Sequence, residues 1–210
     1  MNGIKACKTR TGLGSINELD ALLVIWQRSL DPSLQGWIND MDATSLPDLR
    51  ILAKPDEFRS ALEPLLDACG LKSSGMRDRF VADINDLVVT FADITGGDYV
   101  DVRLERVNHD ACWKFHRDTV ETRLLTTYRG PTTEWVRHEY AEKAIQEQRE
   151  YKGPLERFEN GDVVIFKGSR ASSDKGIVHR SPPISGTGMT RLLLCLNQRT
   201  GTSPKPELRD

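Results

Sequence analysis

The sequence predicts an α+β protein in which a helical layer over residues 1–96 packs on a β jelly roll over residues 97–198. Apolar residues recur at helical spacing as far as Ile94, and from Gly97 the period falls to two. The strands that follow are short, numerous and separated by turn residues. Stacking them as a closed double-sheet jelly roll removes exposed edges and leaves a mouth for a ligand. Residues 199–210 are expected to form a flexible tail on what is otherwise one compact unit.

The helices come first. Ser15-Ile16-Asn17-Glu18 has the pattern of a capping box and is followed by Leu19, Leu22, Leu23, Trp26 and Leu30 at helical spacing. Asp31-Pro32 opens a second helix through Leu34, Trp37, Ile38 and Met41. A third starts at Lys54-Pro55-Asp56-Glu57, carries Phe58, Leu62, Leu65 and Leu66, and stops at Gly70, with Pro64 predicting a kink or break. The fourth runs from about Arg77 to Ile94, with Phe80, Ile84, Leu87, Val88 and Phe91 on one face. The acidic residues of this half read as solvated helix faces.

The strands follow. Tyr99 to Val107 alternates apolar with charged residues, and Leu124 to Tyr128 makes a second strand closed by Gly130-Pro131. Glu134-Trp135-Val136 makes a third. His138 to Gln148 is polar and reads as a short exposed helix or a flap. The turn at Glu159 to Asp162 feeds the buried strand Val163 to Phe166, and Lys167 to Gly176 reads as a mobile loop. Val178 to Ser181 and Thr190 to Asn197 complete the set, joined by a turn from Pro182 to Gly188.

Bulk properties narrow the function. A formal charge of -2 gives no global attraction to nucleic acid or an anionic membrane, although the arginines between Arg103 and Arg137 leave room for a local basic groove. The apolar runs are too short to span a bilayer. Met1 to Gly14 carries Lys5, Lys8 and Arg10 without an apolar core behind them, so a cytoplasmic location is expected. The four cysteines, Cys7, Cys69, Cys112 and Cys195, form no CxxC pair, and a disulfide framework is not expected. Nucleophile elbows, phosphate-binding glycine loops and dinucleotide fingerprints are absent from the sequence, which removes most hydrolase, kinase and Rossmann readings.

The chemistry concentrates in His116-x-Asp118, answered by His179 and then Arg191. Two imidazoles and a carboxylate leave three adjacent positions free on an octahedral ion, an arrangement suited to non-haem Fe(II). Cys112, four residues before His116, is a lesser ligand candidate. His109 and His138 read as exposed bystanders, Arg123 and Arg129 as facing solvent or the helical layer, and Asp162 as a turn former. A buried arginine at the start of a strand, such as Arg191, can also pair a structural carboxylate.

The order H-x-D, Gly161-Asp162-Val163-Val164-Ile165-Phe166, His and Arg, over residues 97–198, resembles the 2-oxoglutarate/Fe(II)-dependent dioxygenase superfamily. The resemblance implies a double-stranded β-helix, or jelly-roll barrel, with His116, Asp118 and His179 as the iron ligands. It also implies that Arg191 holds the distal carboxylate of 2-oxoglutarate through a bidentate ion pair, with Tyr128 donating to the same carboxylate and Thr126 on the same face. Two features depart from the family's commonest pattern. The spacing from His179 to Arg191 is longer, and Leu193 stands where a hydroxyl residue is frequent.

The segments from Lys114 to Val136 and Arg157 to Pro183 also resemble an uncharacterised bacterial family, a domain of unknown function whose members are often encoded near zinc-homeostasis genes. That resemblance opens a second reading, a zinc- or metal-binding protein using the same three ligands with Zn(II). A catalytically inactive jelly roll serving as an interaction module is a third. For the enzyme reading, the substrate is a small molecule or a protein side chain. Lys167 to Gly176 and His138 to Gln148 are then the candidate lids.

Overall fold

Three helices form on apolar stripes, and two of them start at a side-chain cap. The computed structural model describes residues 3–171 and 176–206. Helix α1 (Pro32–Asp40) begins at Asp31, whose carboxylate accepts from the N–H groups of Ser33 and Leu34 at 3.0 and 3.2 Å. Before it come two strands, β1 (Ile4–Cys7) and β2 (Leu23–Trp26). After it come β3 (Leu49–Ala53), α2 (Phe58–Ala68) and α3 (Gly75–Thr95). Helix α2 continues through Pro64, against the break its sequence suggests, because Leu62 and Leu66 on either side are buried in the core. The Ser74 hydroxyl caps α3 by accepting the Arg77 N–H, and Gly96 closes it in the left-handed conformation at φ 64°.

The second half is mostly strand: β4 (Val100–Val107), β5 (Thr122–Arg129), β6 (Glu134–Val136), the short helix α4 (Ala141–Glu147), β7 (Glu156–Arg157), β8 (Val163–Lys167), β9 (Val178–Arg180) and β10 (Arg191–Gln198). Seven strands pair in the order β1-β2-β8-β5-β10-β4-β3, and three in the order β7-β6-β9. The architecture is mixed α+β, with hydrogen-bonded pairing that leaves two separate sheets among the described residues.

Side-chain alternation on the large sheet sorts two cores. Leu192, Leu194 and Leu196 of β10, with Val24, Leu124 and Ile165, pack against Phe58 of α2 and Phe80 and Phe91 of α3. Leu193 and Cys195, with Leu125, Val164 and Phe166, point the other way, toward Trp135, Phe158 and Ile177. The large sheet is therefore a partition, with helices on one side and the small sheet on the other.

Three strands arise from the part expected to be all helix. Ser15 to Leu30 is not one helix. A 3-10 helix spans Arg10–Asn17, the Ser15 hydroxyl donates back to the Gly12 carbonyl, and Leu19 is fully exposed. Leu23 and Val24 are buried in opposite cores, so the run Leu-Val-Ile-Trp is a strand apolar on both faces, which periodicity cannot separate from a buried helix. No helix among the described residues is long and apolar enough to cross a membrane. The described part of the tail packs on the sheet: Ser203 donates to Asp101 at 2.7 Å and Pro206 bridges to Leu52 at the β3 edge. Residues 207–210 lie outside the described residues.

Tyr128 sits on the helical side of the partition. Its ring meets Phe80 edge-on at 5.0 Å and its hydroxyl donates to Asp83 at 2.7 Å, in a cluster closed by Arg28. Burial first, and then the Asp83 charge, push its pKa well above the ordinary value, so it stays a neutral donor. Tyr128→Phe should cost about 1–2 kcal/mol of stability in urea unfolding, the range for a buried hydrogen bond. Affinity for a divalent ion at the His116 cluster should not change.

Candidate metal centre

His116 enters the fold as an extra rung on β9. Its N–H donates to the His179 carbonyl at 3.0 Å, and the His179 N–H donates back at 3.1 Å. The preceding residue anchors this rung. Phe115 is buried edge-on against Tyr151 at 5.5 Å, and the Arg180 guanidinium stacks on it at 4.2 Å. Gln148 holds the Phe115 backbone from both sides, accepting its N–H at 2.8 Å and donating to its carbonyl at 3.0 Å. The segment from His138 to Gln148 is thus a brace rather than a loose flap, with Ala141 and Ala144 buried against Phe115 and Val178.

Asp118 is fixed by the end of β8. Ser169 donates to its carbonyl from both backbone and side chain, at 2.9 and 3.2 Å. The approach is so close that a Cβ on Gly168 would lie 2.3 Å from the Val120 carbonyl and 2.7 Å from that of Asp118. His179 is held from β6 by its pairing with Trp135, and Phe166 lies 5.0 Å from its ring. Of the loop expected from Lys167 to Gly176, residues 172–175 lie outside the described residues.

The three ligating atoms converge within 4.8 Å of one another. His116 Nε2 stands 3.4 Å from one Asp118 oxygen and His179 Nε2 3.3 Å from the other. Each Nδ1 faces a main-chain carbonyl two residues back, Lys114 at 2.7 Å and Ile177 at 3.3 Å. Donation there fixes the tautomer, so that loss of the Nε2 proton would present each lone pair on the carboxylate side, the arrangement that metal-binding imidazoles adopt. Neighbouring ligands at bonds of about 2.1 Å stand about 3.0 Å apart on an octahedral ion, and the two histidine–carboxylate separations lie within a few tenths of an ångström of that spacing. The donor set fits a divalent cation of the iron or zinc type.

Electrostatics agree with that fit. Burial acts to raise the Asp118 pKa, but hydrogen bonds from His116 and His179 and the Arg123 charge outweigh it and hold the carboxyl well below the usual range. The Asp118 hydrogen bond raises the His116 pKa. Arg123 Nη1 donates to Asp118 at 2.6 Å while its Nε donates to Asn197 at 2.7 Å. This corrects the expectation that Arg123 faces solvent or the helical layer. It stands on the site side of β5, half-buried beside the carboxylate.

A cavity of about 270 Å³ opens over the cluster, lined among others by His116, His179, Thr133, Ser181, Arg103 and Arg123. Beneath it Arg191 is fully buried. Its Nη atoms donate to Ser181 at 2.8 Å and Thr133 at 3.3 Å, and its Nε has no hydrogen-bond partner among the described residues. No carboxylate pairs with it among the described residues. Desolvation lowers its pKa to about 10, so the guanidinium is still charged at neutral pH. The long His179–Arg191 connection is absorbed by a turn pinned on Asp110, whose carboxylate accepts the N–H groups of Ile184 and Ser185 at 2.8 Å each.

Two expected cofactor contacts are corrected. Tyr128 and Thr126 lie on the helical face of β5, because Leu124, Thr126 and Tyr128 alternate with Arg123, Leu125 and Thr127. Thr126 is buried with its hydroxyl unpartnered among the described residues. Cys112 lines the cavity and takes φ 51°, but its sulfur is outside the three-ligand group. His109 also lines the cavity, and His138 is exposed and away from it.

A family described as protein of unknown function, DUF1826, matches residues 8–197. No functionally curated protein matches the chain. Among solved structures the chain is similar to a dioxygenase for auxin oxidation in rice, at 11% identity over 87% of this chain and 76% of that one, with a TM-score of 0.48. It is also similar to a Pseudomonas putida prolyl-4-hydroxylase, at 11% identity over 91% and 99% of the two chains, with a TM-score of 0.46.

Two outcomes test the geometry. Gly168→Ala should displace the Asp118 backbone and weaken divalent-metal affinity at least tenfold while the protein stays folded by circular dichroism. Metal affinity should also rise with pH across and above the ordinary histidine pKa of 6.5. Asp118 keeps a proton on His116 to higher pH than usual, and that proton must leave before Nε2 can bind a metal. Pairing His116⁺ with Asp118 stabilises the metal-free fold below that raised pKa, and this contribution is lost as pH rises through it.

Proposed function

The chain belongs to the DUF1826 family of proteins of unknown function, and we propose that it is a non-haem iron(II) dioxygenase using 2-oxoglutarate as co-substrate. The observation that carries this reading is the convergence of two imidazole Nε2 atoms on a buried carboxylate at the mouth of a cavity. Iron(II) with 2-oxoglutarate would supply oxidation of a substrate C–H bond by dioxygen. His116, Asp118 and His179 would hold the ion on one side, leaving the cavity side for exchangeable ligands.

Arg191 supports the co-substrate half of the reading. A guanidinium this deeply desolvated, without a carboxylate among the described residues, gains strongly from an anionic partner. Ser181 lies two residues beyond His179 on the same strand alternation, so the hydroxyl on Arg191 and the ligand imidazole share a face. Ser181 and Thr133 provide hydroxyls beside the guanidinium, where Leu193 has none to offer. The two stacked sheets with the site between them fit a jelly-roll scaffold. The apolar neighbours Leu125, Leu193 and Phe166 would keep bulk water from the reacting centre.

Under anaerobic conditions, adding Fe(II) and then 2-oxoglutarate to metal-free protein should produce a weak visible charge-transfer band that needs both components. Arg191→Leu should weaken 2-oxoglutarate binding at least tenfold with Fe(II) affinity kept, and His179→Ala should abolish Fe(II) binding. Tight Zn(II) retention with no effect of 2-oxoglutarate would replace this reading with that of a zinc-binding protein.

A further inference from the structure

Beside the metal cavity, a second cleft of about 480 Å³ is lined by Arg50, Arg103, Arg123 and Arg170 against a single carboxylate, Asp101. Arg103 and Arg123 line both spaces and form the wall between them. Three of the four cations have a carboxylate within 4.0 Å, two of them closely. Arg50 makes a two-pronged pair with Asp101 at 2.9 and 2.6 Å, and Arg123 is paired with Asp118 at 2.6 Å. Arg170 has no carboxylate within ion-pair distance among the described residues. The nearest to Arg103 is Glu105, at 4.0 Å and on the metal-cavity side. Arg103 Nε is moreover buried without a hydrogen-bond partner among the described residues. Among the described residues, Arg170 thus has no carboxylate partner and Arg103 only a loose one, in a chain whose formal charge is -2. The other walls include the hydroxyls of Thr119, Thr200 and Thr202, which can donate to an oxyanion.

Position along β10 separates this cleft from the Arg191 pocket. Arg191 and Asn197 mark the two ends of the strand, six residues or about 20 Å apart. Arg191 meets Ser181 and Thr133 at one end, while Asn197 meets Arg123 at the other. Arg191 and the second cleft therefore lie toward opposite ends of β10.

We propose that the substrate of this site carries an oxyanion, a phosphate or a carboxylate, seated in the second cleft by Arg103 and Arg170, with its reactive carbon reaching over the Arg103–Arg123 wall to the metal cavity. The proposal rests on the dioxygenase reading for the reaction, but the seat itself is a property of the cleft. It names a substrate class, a small anion with a carbon arm.

The test uses the full-length chain freed of metal, because the probe anions chelate metals. Calorimetric titration at low ionic strength takes inorganic pyrophosphate as the phosphate probe and citrate as the carboxylate probe, against wild type, Arg103→Gln/Arg170→Gln, Arg170→Gln alone and Arg191→Leu. At least one probe should bind wild type, and which one binds tells the two oxyanions apart. The double variant should weaken that binding about tenfold or more, as expected for losing a charge-assisted contact. Arg170 is exposed, so its single variant leaves the fold intact and should still weaken binding about threefold. Arg191→Leu should leave it unchanged. No binding by wild type, equal binding by wild type and the double variant, or loss only in Arg191→Leu would each overturn the proposal. Iron and 2-oxoglutarate play no part in the titration, so such a failure leaves the dioxygenase reading to its own spectroscopic test.

Discussion

A carboxylate buried between two histidines and an arginine is the constraint on which the rest of the site depends. Asp118 is only 8% exposed, and a buried charge is tolerated only when it is paired and hydrogen-bonded. Its partners come from three places in the chain: His116 two residues before it, Arg123 at the start of β5, and His179 on β9. Each is itself held. The two histidines share backbone hydrogen bonds, Arg123 is oriented by Asn197 of β10, and the Asp118 main chain is clamped by Ser169 after β8. Segments far apart in sequence meet because this charge requires them.

The partition made by the large sheet keeps two kinds of buried polar chemistry apart. On the helical side, Asp83, Arg28 and Tyr128 satisfy one another, and Arg28 also donates to the Gly161 carbonyl at 2.8 Å. That cluster is closed and ties α3 to the sheet. On the other side, Arg191 Nε and Arg103 Nε have no hydrogen-bond partner among the described residues, and two histidine Nε2 atoms converge on one carboxylate. Unpartnered buried groups are costly in a purely structural setting, and the convergence of the two imidazoles on a buried carboxylate is what marks the site.

The sequence made part of this legible. Helices α1, α2 and α3 announce themselves through Asp31-Pro32, Lys54-Pro55-Asp56-Glu57 and a sustained 3.6-residue stripe, respectively. Strands β1, β2 and β3 did not, because they are four or five residues long and Leu23 and Val24 are apolar on both faces. That His116, Asp118 and His179 come together was readable from their order and the strands around them. The role of Arg123 and the true places of Thr126 and Tyr128 were not. In Leu124-Leu125-Thr126-Thr127-Tyr128 the leucine and the threonine are each doubled, so alternation does not say which of each pair faces the helices. A register shift opposite Leu192 and Leu193 adds to the ambiguity. Arg103, Arg50 and Arg170 come together only through sheet pairing and a loop return, which no local pattern reports.

The central claim is that His116, Asp118 and His179 hold one divalent cation with open coordination positions. The most direct measurement is titration of the metal-free chain with Co(II), followed by its electronic absorption spectrum, in wild type and Asp118→Ala. The account predicts one ion per chain, a weak visible spectrum of five- or six-coordinate cobalt, and loss of binding in the variant. An intense four-coordinate spectrum, or binding that Asp118→Ala leaves untouched, would contradict it.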